Sequence, residues 1–135
     1  KDSVGTGSRH ITLVPVPSCH RRSPYLVTRL CAELESLGYF VSVAHHGIER
    51  NNSTIQLKDL DWFVRRQEAH RLFVRGRLRV DSPIVILVDD VVTSGATMRA
   101  CCELLRSAGF HSVYGVAICA CPEDAPLLDV YNRAP

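Results

Sequence analysis

No stretch of this 135-residue chain approaches the roughly 20 consecutive apolar residues that a membrane helix needs, so no helical membrane span is expected. The amino terminus, KDSVGTGSRH, has neither the apolar core nor the cleavage site of a secretory leader. The chain does not begin with methionine, so further sequence at one end or the other is an expectation. Net charge is small, +2 with a pI near 8.3, too mild to argue for nucleic-acid binding. Six cysteines are present, but Cys101 and Cys102 are adjacent and Cys119 and Cys121 form only a CxC, so the paired CxxC spacing of zinc sites is lacking. They read as reduced and mostly buried, with Cys101, Cys102 and Cys119 inside helix or strand patterns, which points to the cytoplasm. There is no internal repeat and no low-complexity tract. The 46% apolar and 22% charged fractions are those of a globular protein, and the length suits one domain over residues 1–135.

What is there has a clear order. Ile11 to Val16 reads as a buried strand that runs into a turn at Pro15-Val16-Pro17. Ser23 is a candidate N-cap with Pro24 at the first helical position, and Val27, Leu30, Cys31 and Leu34 form a helical stripe until Gly38. Tyr39 to Ala44 resumes as a short strand. From His45 to Val80 the pattern is poor, with Asn51-Asn52-Ser53 marking a loop and Asp59 to Arg71 a candidate short helix. Between His45 and Arg79 eight Arg and Lys stand against four acids, so this long segment is locally basic and suits a functional lid. Ile84 to Val88 is the most apolar run, as expected of a central parallel strand covered on both faces. Met98, Cys101, Cys102 and Leu105 then repeat the helical stripe, Gly109 stops it, and Ser112 to Cys121 gives another strand. The order β-α-β-loop-β-α-β predicts an α/β fold: an open, mainly parallel sheet with helices on both faces.

The sequence VDDVVTSGAT, from Val88 to Thr97, carries the chemistry. Ligands of open parallel sheets bind at the carboxyl ends of the strands, which is where Asp89 and Asp90 fall. After Val91, the run Thr93, Ser94, Gly95, Ala96 and Thr97 offers three hydroxyls and successive backbone N–H groups at a helix start, a cradle for a phosphate monoester. The GxxxxGK[ST] spacing and the lysine of a nucleoside-triphosphate loop are absent. Two carboxylates would repel a bare polyphosphate, but they accept hydrogen bonds from vicinal sugar hydroxyls and help to hold Mg²⁺. A ribose 5-phosphate satisfies both halves. Turn-capping by the acids and helix-capping by the hydroxyls explains each residue singly, but not their order after a buried strand.

VILVDDVVTSGATM resembles the ribose 5-phosphate loop of the type I phosphoribosyltransferases, and the resemblance extends from Ile11 to Cys121. It implies that Asp89 and Asp90 engage the ribose 2- and 3-hydroxyls of phosphoribosyl pyrophosphate and that Thr93 to Thr97 wrap the 5-phosphate. It also implies a pyrophosphate-gripping loop after the first strand, where Ser18, Cys19, His20 and Arg21 stand, and a mobile loop within the basic segment. Among branches, the chain is similar to the ComF/GntX group through Pro15-Val16-Pro17 and through Arg50, Gln56 and Arg66, although the RGFNQ stretch usual there is replaced by RRSPYLV. Thr93 stands where the 6-oxopurine enzymes of the superfamily place an acid, which argues against hypoxanthine and guanine as acceptors. The base-selecting hood is reduced, with only Lys1 to His10 and Pro122 to Pro135 to supply it.

The resemblance implies Mg²⁺ as cofactor, held by Asp89 and Asp90 largely through ligand and water, and transfer of ribose 5-phosphate to an unidentified nitrogen acceptor with loss of pyrophosphate. Arg21, Arg50 and Arg66 are the candidate catalytic cations beside the two acids, and no general base is evident. The rival reading is a regulatory module that senses phosphoribosyl pyrophosphate, or another ribose 5-phosphate-containing nucleotide, without turnover. The same cradle serves both. Homodimers are common in the superfamily and are an expectation here by analogy.

Overall fold

The apolar run at Ile84 becomes the middle of the molecule because it is long enough to be paired on both edges. A computed structural model describes residues 9–17, 23–51, 61, 63–64, 67–68, 73–78, 83–92 and 95–120. In it the strands β1 (His10–Pro15), β2 (Phe40–Val43), β5 (Ile84–Val92) and β6 (Ser112–Ala120) form one sheet in the order β2-β1-β5-β6, every pair parallel. The helices α1 (Ser23–Ser36) and α2 (Ala96–Ser107) make the β1-to-β2 and β5-to-β6 crossovers. The chain thus steps outward in opposite directions from the central pair, and right-handed crossovers then place the two helices on opposite faces.

Packing bears this out. On one face Val27 of α1 lies with Ile11, Leu13 and Val88, and Leu30, Cys31 and Leu34 pack against them. On the other, Met98, Cys101, Cys102 and Leu105 of α2 lie with Val14, Val85 and Leu87. Both helical stripes are therefore core stripes. Leu13, Leu87 and Leu105 are wholly buried, which contributes about 2 kcal/mol for each side chain.

Two short strands depart from the sequence expectation. Within the segment read as a loop, β3 (Ile48–Arg50) pairs antiparallel with β4 (Phe73–Arg75), and Ile48, Phe73 and Leu78 join the core on the α2 face. Each is three residues long, too short to show an alternating pattern. Inside the candidate helix at 59–71, Phe63, Val64, Gln67 and Glu68 are helical, and Asp61 Oδ1 accepts the N–H groups of Phe63 and Val64, both at 3.0 Å. Asp61 is thus an N-cap. Cys119 is a correction: it was expected inside a buried strand pattern but is exposed, at the carboxyl end of β6, whereas Val113 near the start of the same strand is buried. Cys101 and Cys102 are buried free thiols as expected, while Cys19 and Cys121 lie outside the described residues. No helix among the described residues is long and apolar enough to cross a membrane. The hood segments fall almost wholly outside them, at 1–8 and 121–135.

Candidate functional site

In a doubly wound sheet the strands on either side of the direction change open a crevice at their carboxyl ends. Here those strands are β1 and β5, paired from Ile11↔Ile84 to Pro15↔Val88. One further hydrogen bond, from Val16 N–H to Val88 O at 2.9 Å, holds the chain leaving β1 beside the residue that precedes Asp89. The acidic pair therefore stands at the crevice. β5 also runs farther than its apolar portion, since Asp89 pairs with Ala117 and Val91 with Cys119 of β6. Asp89 and Asp90 are consequently held in extended backbone within the last four residues of the strand.

The two carboxyls differ in environment. Asp89 is only 7% exposed and Asp90 is half-buried. Asp89 Oδ1 accepts the N–H of Asp90 at 2.8 Å, and Asp90 Oδ1 accepts the N–H of Val91, also at 2.8 Å. Burial above all, then hydrogen bonding with the Asp90 side chain and repulsion by its charge, pushes the Asp89 pKa up to about 6, against the opposing pull of the Asp90 N–H. A buried carboxylate of this kind gains from a hydroxyl donor or a cation. Beneath it, burial pushes the Cys101 thiol up, with smaller contributions from Cys102 and Asp89, so Cys101 is a neutral packing group.

Gly95 ends the turn after β5 with φ 73° and ψ 0°, the left-handed region that favours glycine, and its carbonyl accepts the N–H of Arg99 at 2.9 Å to begin α2. Ala96 is buried and Thr97 half-buried in the first turn of the helix. Backbone amides and the positive end of the helix dipole thus lie just past the carboxylates in the chain. Gly95→Ala is expected to lower stability by about 1 kcal/mol through the unfavourable backbone region alone. It should weaken affinity for ribose 5-phosphate as well, measured by titration against the parent. An unchanged affinity would remove Gly95 from the cradle.

Not every expected residue is on view. Thr93, Ser94, Ser18, Cys19, His20, Arg21, Gln56 and Arg66 lie outside the described residues. Val91 is 40% exposed beside the pair. Arg50 closes β3, in the second sheet, and is half-buried opposite Phe73. What sequence reasoning missed is the fastening of that sheet. Gly76 N–H donates to Gly47 O at 2.9 Å and Arg77 N–H to His46 O at 2.8 Å, which clips β4 to the turn that follows β2. Gly47 and Gly76 were the available signal.

Comparison with known proteins places the chain in a family. The sequence pattern of the phosphoribosyl transferase domain matches residues 13–131, and the chain belongs to that family. It is 38% identical over 77 residues to an orotate phosphoribosyltransferase of Thioalkalivibrio sulfidiphilus, a match covering 55% of this chain and 30% of that protein. A crystal structure of a hypoxanthine phosphoribosyltransferase from Staphylococcus aureus superposes with a TM-score of 0.52 at 14% identity, covering 86% of this chain and 54% of the other. That likeness shows the type I phosphoribosyltransferase fold. The chain spans under a third of the first relative and about half of the second.

Proposed function

We propose that this chain binds phosphoribosyl pyrophosphate in the crevice between β1 and β5 and transfers its ribose 5-phosphate to a nitrogen acceptor. The observation that carries the reading is the acidic pair at the carboxyl end of β5, with Asp89 buried and Asp90 half-buried, and the glycine-led helix start that begins at Gly95. Asp89 and Asp90 accept hydrogen bonds from the ribose 2- and 3-hydroxyls. Thr93, Ser94, Gly95, Ala96 and Thr97 receive the 5-phosphate. The pyrophosphate is assigned to Ser18, His20 and Arg21, with Arg50 and Arg66 as further cations.

The bond from the anomeric carbon to pyrophosphate breaks with its electron pair leaving on pyrophosphate, and a bond from the acceptor nitrogen forms at the same carbon. Positive charge that develops on the sugar is offset by the carboxylate pair, and negative charge on the leaving group by the arginines. Holding sugar and acceptor in line supplies the rest. Mg²⁺ fits this donor set as a ligand-borne ion. Asp89 and Asp90 would hold it largely through ligand oxygens and water. When bound, it would neutralise pyrophosphate.

The family membership supports use of phosphoribosyl pyrophosphate, and the relative named for orotate supports a nitrogen acceptor. Thr93 argues against a 6-oxopurine. The expected result is pyrophosphate release that requires both Mg²⁺ and one of a panel of purine and pyrimidine bases. Tight ligand binding with no acceptor-dependent release would assign the chain instead to ligand sensing without turnover.

A further inference from the structure

A residue without a side chain on β6 faces the first turn of α2. Gly115 lies in the middle of β6, opposite Leu87 of β5, two residues before Ala117, which pairs with Asp89. A Cβ built on Gly115 would stand 2.7 Å from Met98 Sδ, 2.9 Å from its Cγ and 3.4 Å from its Cε. Met98 is in the first turn of α2, three residues past Gly95, and is 2% exposed. Its side chain fills the space that a larger residue on β6 would take. Because Met98 is enclosed by the α2-side core, it cannot swing aside freely, and the clash at Cγ lies close to the helix backbone.

We propose that Gly115 is a positioning residue for the phosphate site: by admitting Met98 against β6 it seats the amino end of α2, and with it the Gly95–Thr97 amides, at the depth that the ligand requires. The inference rests on the function proposed above but adds a residue outside the loop motif, on a neighbouring strand. A side chain at 115 acts through Met98 and displaces the cradle outward from Asp89. Small displacements suffice, since misplacement by about 1 Å can lower a rate on the order of a hundredfold.

The test compares Gly115→Ala, Met98→Ala and the double variant with the parent. Amide NMR shifts of residues 95–98 are recorded without ligand, and affinity for phosphoribosyl pyrophosphate is measured with Mg²⁺. The expected result is a shift of the 95–98 amides in Gly115→Ala and an affinity lowered roughly tenfold. In the double variant, where the obstructing side chain is gone, both should return toward the parent. Should Gly115→Ala fail to fold, the double variant still has to fold with parent-like 95–98 amides. Unmoved amides, or loss of affinity that Met98→Ala does not rescue, overturns the inference. If the parent itself binds no phosphoribosyl pyrophosphate, the proposed function falls, and the amide shifts alone then decide whether Gly115 seats the helix.

Discussion

Replacing Asp89 and Asp90 together by Asn is expected to abolish Mg²⁺-dependent binding of phosphoribosyl pyrophosphate and, at the same time, to make the ligand-free protein more stable at neutral pH. Both effects have one cause. Asp89 is buried beside a second carboxyl, and its pKa rises from the ordinary 3.8 to about 6. The folded protein therefore takes up this proton more readily than the unfolded chain does. The stability penalty is absent below about pH 4, grows as pH rises through the window from 3.8 to about 6, and is fully present above it. At about 1.4 kcal/mol for each pKa unit, the penalty at pH 7 is on the order of 2–3 kcal/mol.

Asn keeps the oxygen that accepts the backbone N–H of the next residue, so both 2.8 Å bonds can persist in the variant. It loses the charge that, in the proposed mechanism, offsets the developing sugar cation and helps to hold Mg²⁺. Affinity should fall at least about a hundredfold, the loss of two charge-assisted hydrogen bonds. Urea unfolding between pH 4 and pH 8 provides the check. The stability gap between variant and parent should widen as pH rises, whereas parallel curves would show that the pair carries no such strain.

Gly76→Ala is expected to destabilise the protein more than either Gly95→Ala or Gly115→Ala. A Cβ at this position would lie 1.9 Å from the carbonyl oxygen of His46 and 3.0 Å from its carbonyl carbon. These are backbone atoms, and that oxygen is already fixed by the N–H of Arg77 at 2.8 Å. Relief requires the clip between β4 and the turn after β2 to open. Ile48, Phe73 and Leu78 then lose part of their burial. A loss of about 3 kcal/mol is expected, which corresponds to a fall in Tm of more than about 10 °C for a domain near this size. Because β3 carries Arg50, ligand affinity should fall as well. A Tm within about 1 °C of the parent would show that the two segments separate without consequence.

How much of this was legible beforehand depended on whether the signal was local. The stripes Val27, Leu30, Cys31, Leu34 and Met98, Cys101, Cys102, Leu105 announced both helices and their buried faces, because helical periodicity needs only neighbours in the sequence. The length and apolarity of Ile84 to Val88 announced a central strand in the same way. Its continuation to Val92 was not legible, since two Asp residues read as a stop and only pairing with Ala117 and Cys119 keeps them extended. The β3–β4 pairing joins residues 23 positions or more apart in elements of three residues, and nothing local specifies it. Exposure of Cys119, on the strand whose Val113 is buried, depends on how far the core extends along β6, which no local pattern specifies.

The candidate site divides along the same line. Asp89 to Thr97 is contiguous, so its residue types and order could be read directly. The adjacency of β1 and β5, which makes a crevice there, and the approach of Met98 to Gly115 arise from long-range packing.

The most direct test of the central claim is calorimetric titration of the chain with phosphoribosyl pyrophosphate, with and without Mg²⁺, using the Asp89→Asn, Asp90→Asn double variant as control. Saturable binding that requires Mg²⁺ and vanishes in the double variant is the predicted result. Undiminished affinity in that variant, or no binding by the parent, would contradict it.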